Sequence, residues 1–223
     1  MKGVSRVCCW ILLAVAATAI GVVSLRYLTG DPAVAPRALR LNMIERLPWF
    51  VAHTVAGAIA LLVLPWQVLP ALRRRAVRLH RWLGRIYVAA VGVSGIAALP
   101  IALGTFAGPI AASGFAALAV CWLGTTFTGW RRMRLGDVNG HRRWMMRSAA
   151  LTCAALTLRL YLPLPPALGF SFAEGYRVIA WACWVPNLLL AEYFLRRRPA
   201  VGHGSTALAL PLVPIGERQL GDA

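Results

Sequence analysis

Acidic side chains are scarce in this sequence: seven aspartates and glutamates stand against 24 lysines and arginines in 223 residues. Most of the seven fall in loops or at the ends of apolar runs. That leaves few carboxylates placed for general acid–base chemistry or for proton-coupled transport. Charge of either sign is thin, at 14% of residues, where a soluble domain would carry roughly a quarter. Lysine is all but missing, since Lys2 is the one lysine beside 23 arginines. That bias fits a GC-rich genome and carries no mechanism. Catalytic signatures are missing too: there is no G-x-S-x-G, no H-E-x-x-H, no Walker A and no Rossmann fingerprint. Nothing in the sequence supports an enzyme. The five cysteines (Cys8, Cys9, Cys121, Cys153, Cys183) make no C-x-x-C pair and no metal-ligand spacing, so they read as small buried hydrophobes. Cys8 and Cys9 precede the first apolar stretch, where a lipoprotein cysteine would follow it.

What is abundant is apolar length. Hydrophobic residues make up 59% of the chain, and several runs reach the ~20 residues a helix needs to cross a bilayer. The fold class expected is an all-α, polytopic transmembrane bundle of about six spans, near 7–25, 48–70, 86–104, 109–130, 144–162 and 174–195. The first run could be a cleaved signal peptide, with Ala17 and Ala19 forming an A-x-A-like site; its length favours an uncleaved span. Residues 1–47 then hold the first span and an outer connection, 48–198 a five-span core, and 199–223 a disordered cytoplasmic tail.

The basic residues sit in short clusters between the apolar runs: six arginines in 73–85 and six in 131–147. A nucleic-acid binder would need a soluble basic domain, and no segment is long enough for one. With the N-terminus inside, loops and tails place 18 Lys and Arg on the inner side against four on the outer, with Arg159 and Arg177 within spans. That split favours both termini in the cytoplasm and a bacterial inner (plasma) membrane. The expected partners are the bilayer and its anionic headgroups, and protein partners are left open.

Polar residues within the spans fall on stripes. His141, Ser148, Thr152 and Arg159 are spaced 7, 4 and 7, and His80, Tyr87 and Ser94 are spaced 7 and 7, so each set shares one helix face. His53, Gly57 and Gln67 line a face of the second span, Gly114, Cys121, Thr125 and Thr128 one of the fourth, and Tyr176, Cys183 and Asn187 one of the sixth. Interhelical packing through small and hydroxyl residues accounts for such stripes; a pocket or pathway would produce them as well. Two candidate sites follow. His80 and His141 head helices at one membrane edge, with Arg85 and Arg147 close behind. They either contact lipid headgroups or ligate a haem b whose propionates the arginines pair with. His53 and Arg159 could meet at one depth on the outer side, lining a solute site, although Arg159 is near enough to Pro163 to snorkel outward. No metal site is expected, because Asp137 is the only acid near the histidines.

The segments RRRAVRLHRWLGR (73–85) and RRMRLGDVNGHRRWMMR (131–147) echo each other, as two related helical hairpins would. The series HTVAGAIALLVLPWQ (53–67), LHRWLGRIY (79–87), GHRRWMMRS (140–148) and TLRLY (157–161) resembles an uncharacterised bacterial multi-pass membrane family, domain of unknown function 2306. The resemblance spans roughly residues 50–195. It implies a multi-pass membrane protein with His53, His80, Arg85, His141, Arg147 and Arg159 on the family's pattern, and it implies no activity. The remaining readings are a non-catalytic membrane component with basic cytoplasmic loops, a haem-binding protein in electron transfer or haem handling, and a small-solute transporter.

Overall fold

The computed structural model describes residues 2–197, with side chains from residue 7 onward; the tail expected over 199–223 lies outside the described residues. Within them every regular element is a helix. The order is α1 (Lys2–Ser24), three short 3-10 turns, α2 (Arg40–Glu45), α3 (Leu47–Val68), α4 (Pro70–Arg75), α5 (Val77–Leu103), α6 (Pro109–Arg134), α7 (Val138–Thr152), α8 (Ala154–Tyr161), α9 (Leu164–Ala167), α10 (Phe172–Ala182) and α11 (Val185–Arg196). Five stretches are long and apolar enough to cross a membrane: Val7–Thr29, Leu47–Val68, Val77–Leu103, Pro109–Arg134 and Phe172–Arg196. α7 and α8, parted only at Cys153, form a further rod between the same two ends. Arg147 and Arg159 make it less apolar than the others. The protein is an all-helical, multi-pass membrane protein of about six spans.

The helices begin earlier than the apolar runs suggest. α5 starts at Val77 rather than near residue 86, and α7 at Val138 rather than near 144. Arginine is a good helix former, so the basic clusters wind into the helices that follow them. Local chemistry sets the ends. Asp137 accepts from Gly140 N at 2.7 Å and caps α7, directly after Gly136 at φ +77°. Ser171 and Glu174 form a capping box at the start of α10, satisfying two backbone donors that helix geometry leaves unpaired. At helix C-termini, side chains from other elements take the leftover carbonyls. Trp10 Nε1 donates to Pro65 O at 2.9 Å, and Asn42 Nδ2 donates to Ile101 O at 3.1 Å.

α3, α5, α6 and α7 pack in sequence, and α7 also touches α3, so the four close a ring. α1 lies against α3, α10 against α6, and α11 against α7. One core runs through the ring and includes Leu64, Tyr87, Val91, Trp122, Leu151 and Cys183. Small residues hold the close approaches: a Cβ on Gly114 would stand 3.0 Å from Ala180 O, and one on Gly95 would stand 2.7 Å from Leu123 Cγ. Large apolar side chains face outward instead, among them Leu12, Ile96, Val120, Phe127, Val178 and Leu190. Small inside and large outside is the arrangement lipid-solvated helices adopt. Residues 73–85 and 131–147 lie at one end of the bundle, called here the basic end. Ser24, His53 and Arg159 lie towards the far end.

Candidate functional site

At the centre of the ring a hydroxyl cluster joins three helices. Tyr87 on α5 puts its hydroxyl 2.8 Å from Ser148 Oγ and 2.6 Å from Thr152 Oγ1, both on α7. From α6, Trp122 Nε1 donates to Thr152 Oγ1 at 2.9 Å, and Thr126 Oγ1 lies 2.7 Å from Ser148 Oγ. Thr126 also reaches Trp122 O at 2.7 Å and Thr152 reaches Ser148 O at 2.9 Å. All five side chains are buried. These six contacts share five protons, four hydroxyl and one indole. Every donor therefore has an acceptor, and one hydroxyl contact alternates. An unpaired polar group in hydrocarbon is costly; this cluster has none and needs no solute to complete it. Interhelical packing accounts for the contacts of Tyr87, Ser148 and Thr152. The α6 side is Trp122 and Thr126, not Cys121 and Thr128, because tryptophan gives no polar-stripe signal although its indole N–H needs a partner.

Below the cluster lies the basic end. His80 precedes Tyr87 by seven residues, and His141 precedes Ser148 by seven. Seven residues make two turns, about 10.5 Å, and return to nearly the same face. The Tyr87–Ser148 contact thus sets both histidines on inward-facing lines at the basic end, where the charges of Arg73, His141 and Arg81 reach His80. His141 Nδ1 lies 2.9 Å from Gly129 O. Nδ1 is the donor there, and in the neutral ring Nε2 keeps its lone pair. Gly129 permits this approach, since a Cβ would stand 2.7 Å from Met145 Sδ. His80 Nδ1 is buried without a hydrogen-bond partner, while its backbone carbonyl accepts from Gln67 Nε2 at 3.3 Å. Among the described residues no three His, Cys, Asp or Glu gather as metal ligands.

The arginines at this end divide into two groups. Arg147 is engaged: its guanidinium lies 4.6 Å over the Trp144 ring. It forks onto Glu192 of α11, with Nη2 to Oε2 at 3.0 Å and Nε on Oε1. Arg132 pairs with Asp137 at 3.2 Å. Arg85, the counterpart of Arg147 in the sequence echo, is exposed and has no ion-pair partner among the described residues. Arg73 is partly buried, and Arg142 and Arg74 stand close by. Desolvation first, then their repulsion, holds its guanidinium below the usual arginine value. The two basic segments therefore converge. Glu192 was missed in the sequence, where it reads as one acid at the end of an apolar run. Its signal was its type, because an ionisable group at membrane depth normally has a partner.

At the far end, His53 Nδ1 donates to Ser94 O at 3.0 Å, and Ser94 Oγ donates to His53 O at 2.9 Å. A Cβ on Gly57 would stand 3.2 Å from Ser94 Oγ, so His53, Gly57 and Gln67 all face α5. His53 and Arg159 share no hydrogen bond, though the Arg159 charge reaches His53. Arg159 does not snorkel outward. Nη1 turns back to Ala155 O at 2.9 Å, and Nη2 reaches Ser24 Oγ on α1 at 2.9 Å.

A family model described as predicted membrane protein (DUF2306) matches residues 50–195. The chain belongs to the DUF2306 family. The DUF2306 region holds the hydroxyl cluster, all three histidines discussed, Arg147, Arg159 and Glu192; Ser24 and the rest of α1 lie before it. Neither the curated proteins nor the solved structures contain a match to the chain.

The proton count in the cluster ranks two substitutions. Tyr87→Phe removes one donor and leaves the other four protons with acceptors, so it should cost about 0.5–1.5 kcal/mol. Thr152→Val strands the buried Trp122 N–H and should cost more, about 1–3 kcal/mol. Thermal or denaturant unfolding of both variants in the same detergent checks the order. Equal losses, or a larger loss for Tyr87→Phe, would contradict the bonding scheme.

Proposed function

We propose that this protein is a non-catalytic component of a bacterial inner membrane whose basic end binds anionic phospholipid headgroups in the cytoplasmic leaflet. The observation that carries the reading is the convergence of residues 73–85 and 131–147 at one end of the bundle, where Asp137 and Glu192 are each already engaged by an arginine. Arg73 faces Arg142 and Arg74 with repulsion rather than pairing. A cluster of cations left uncompensated among the described residues is stabilised by phosphates from outside, and basic residues near an anionic leaflet contribute about 1 kcal/mol each. The 18-to-4 distribution of Lys and Arg supports a cytoplasmic side for this end and for both termini.

The test is lipid composition around the protein in nanodiscs of mixed phosphatidylcholine and phosphatidylglycerol, read by mass spectrometry. The wild type should retain phosphatidylglycerol preferentially and lose the preference as salt rises. Arg73→Gln with Arg142→Gln should reduce the preference roughly tenfold or more. No preference, or one the double variant leaves intact, would overturn the proposal.

A second reading rests on the histidines themselves. A ring held through Nδ1 to a backbone carbonyl, as His141 is by Gly129, presents Nε2 in the way ligating histidines usually do, and His80 Nδ1 stands buried and unpartnered. His80 and His141 would ligate a b-type haem iron, with Arg85 rather than the engaged Arg147 available to a propionate. The absorption spectrum of protein from haem-replete cells decides this. A Soret band that disappears in both His80→Ala and His141→Ala supports ligation, and no band excludes it.

A further inference from the structure

A second, separate place holds positive charge without a counter-ion among the described residues. Arg159 lies close to the end of α8, where the short route for a charged side chain runs outward to water. It takes the other direction, back along its own helix to Ala155 O and across to Ser24 Oγ. Ser24 is 3% exposed, and its hydroxyl proton goes to Ile20 O at 2.7 Å. Its oxygen is thereby left as a pure acceptor for Arg159. The α1 partner is built to hold the guanidinium in place.

Holding the group is not the same as neutralising it. Both acceptors are uncharged, and they engage two of the five guanidinium N–H groups. Two groups act electrostatically on Arg159, the Tyr27 phenol first and then Arg26, which is of the same sign, and Arg159 acts in turn on His53. Arg26 in turn contacts the Tyr27 hydroxyl at 3.4 Å, and Tyr27 is fixed edge-on against Phe50 with ring centroids 5.4 Å apart. The acids towards this end are held elsewhere. Glu45 pairs with Arg46, Asp31 accepts from Ala33 N, and Glu174 belongs to the α10 capping box. Among the described residues Arg159 therefore has no carboxylate partner. A cation at membrane depth normally pairs with something, and a guanidinium with N–H donors left over can bind an oxyanion.

We propose that Arg159 anchors an oxyanion site between α1, α3 and α8, with Arg26 at its rim and Ser24 fixing the guanidinium. The ligand chemistry is one phosphate or carboxylate group. It is supplied either by a phospholipid headgroup of the outer leaflet or by a small free anion. The site shares no residue with the basic end and does not depend on the function proposed for it.

The experiment compares Arg159→Gln with wild type in a background carrying Arg73→Gln and Arg142→Gln, so that anions bound at the basic end do not contribute. Inorganic phosphate and acetate are titrated by calorimetry into protein in phosphatidylcholine nanodiscs, and phospholipid retained through detergent purification is identified by mass spectrometry. Saturable binding of either anion, weakened about tenfold or more by Arg159→Gln, assigns a free-anion site. Retained phosphatidylglycerol that Arg159→Gln releases assigns a headgroup site. Arg26→Gln, which leaves the Ser24 contact intact, should weaken the same signal by a smaller factor and covers the case in which Arg159→Gln does not fold. No binding and no retained lipid, or the same signal in every variant, would overturn the proposal.

Discussion

A polar atom in hydrocarbon has no water to fall back on, and the placing of the helices follows from that constraint. The hydroxyl of Tyr87 can be buried on α5 only because Ser148 and Thr152 meet it from α7. The Trp122 indole can be buried on α6 only because Thr152 accepts its proton. Satisfying these groups together fixes the rotation and height of three helices at once, and non-directional apolar packing would not do so alone. The same rule acts at the helix ends, where Trp10 and Asn42 take carbonyls the helices leave over. It also governs Arg147, which enters the bundle with Glu192 as its counter-ion.

Locking the hairpins in this register has a consequence two turns away. His80 and His141 hang from the Tyr87–Ser148 contact by equal spacings, so they come to the same end of the bundle with their arginines. The positive charge there is concentrated by the fold and not merely by the sequence, because Arg73 and Arg142 lie nearly 70 positions apart yet feel each other's charge. Two carboxylates, both engaged, leave most of that charge without an ion-pair partner among the described residues. The internal echo between the hairpins is chemical and not symmetric: Arg147 is a partly buried, paired residue, and Arg85 is exposed.

Hydropathy made the all-helical class and about six spans legible, since apolar length has few other causes at this composition, and motifs such as LHRWLGRIY and GHRRWMMRS made the family legible. The seven-residue spacings on α5 and α7 correctly marked the faces that meet. What sequence reading missed were partners supplied by residues outside the stripes. Trp122 and Thr126 were hidden in an apolar helix, Glu192 looked like a terminal acid, and Ser24 belonged to a segment read only as a span. Each is the second half of a contact, and a single sequence carries no mark of which distant residue completes it. Arg159 shows the same limit from the other side, since proximity to a helix end suggested an outward route and the serine on α1 reversed it.

The buried hydroxyl cluster brings the two basic segments to one end of the bundle. Arg73→Cys with Arg142→Cys, in a chain whose five native cysteines are replaced by alanine, tests it in native membranes with a short bifunctional thiol reagent. An efficient intramolecular cross-link is expected, detected by loss of labelling at both positions in the monomer band. Two cysteines that each label freely but never cross-link would contradict it.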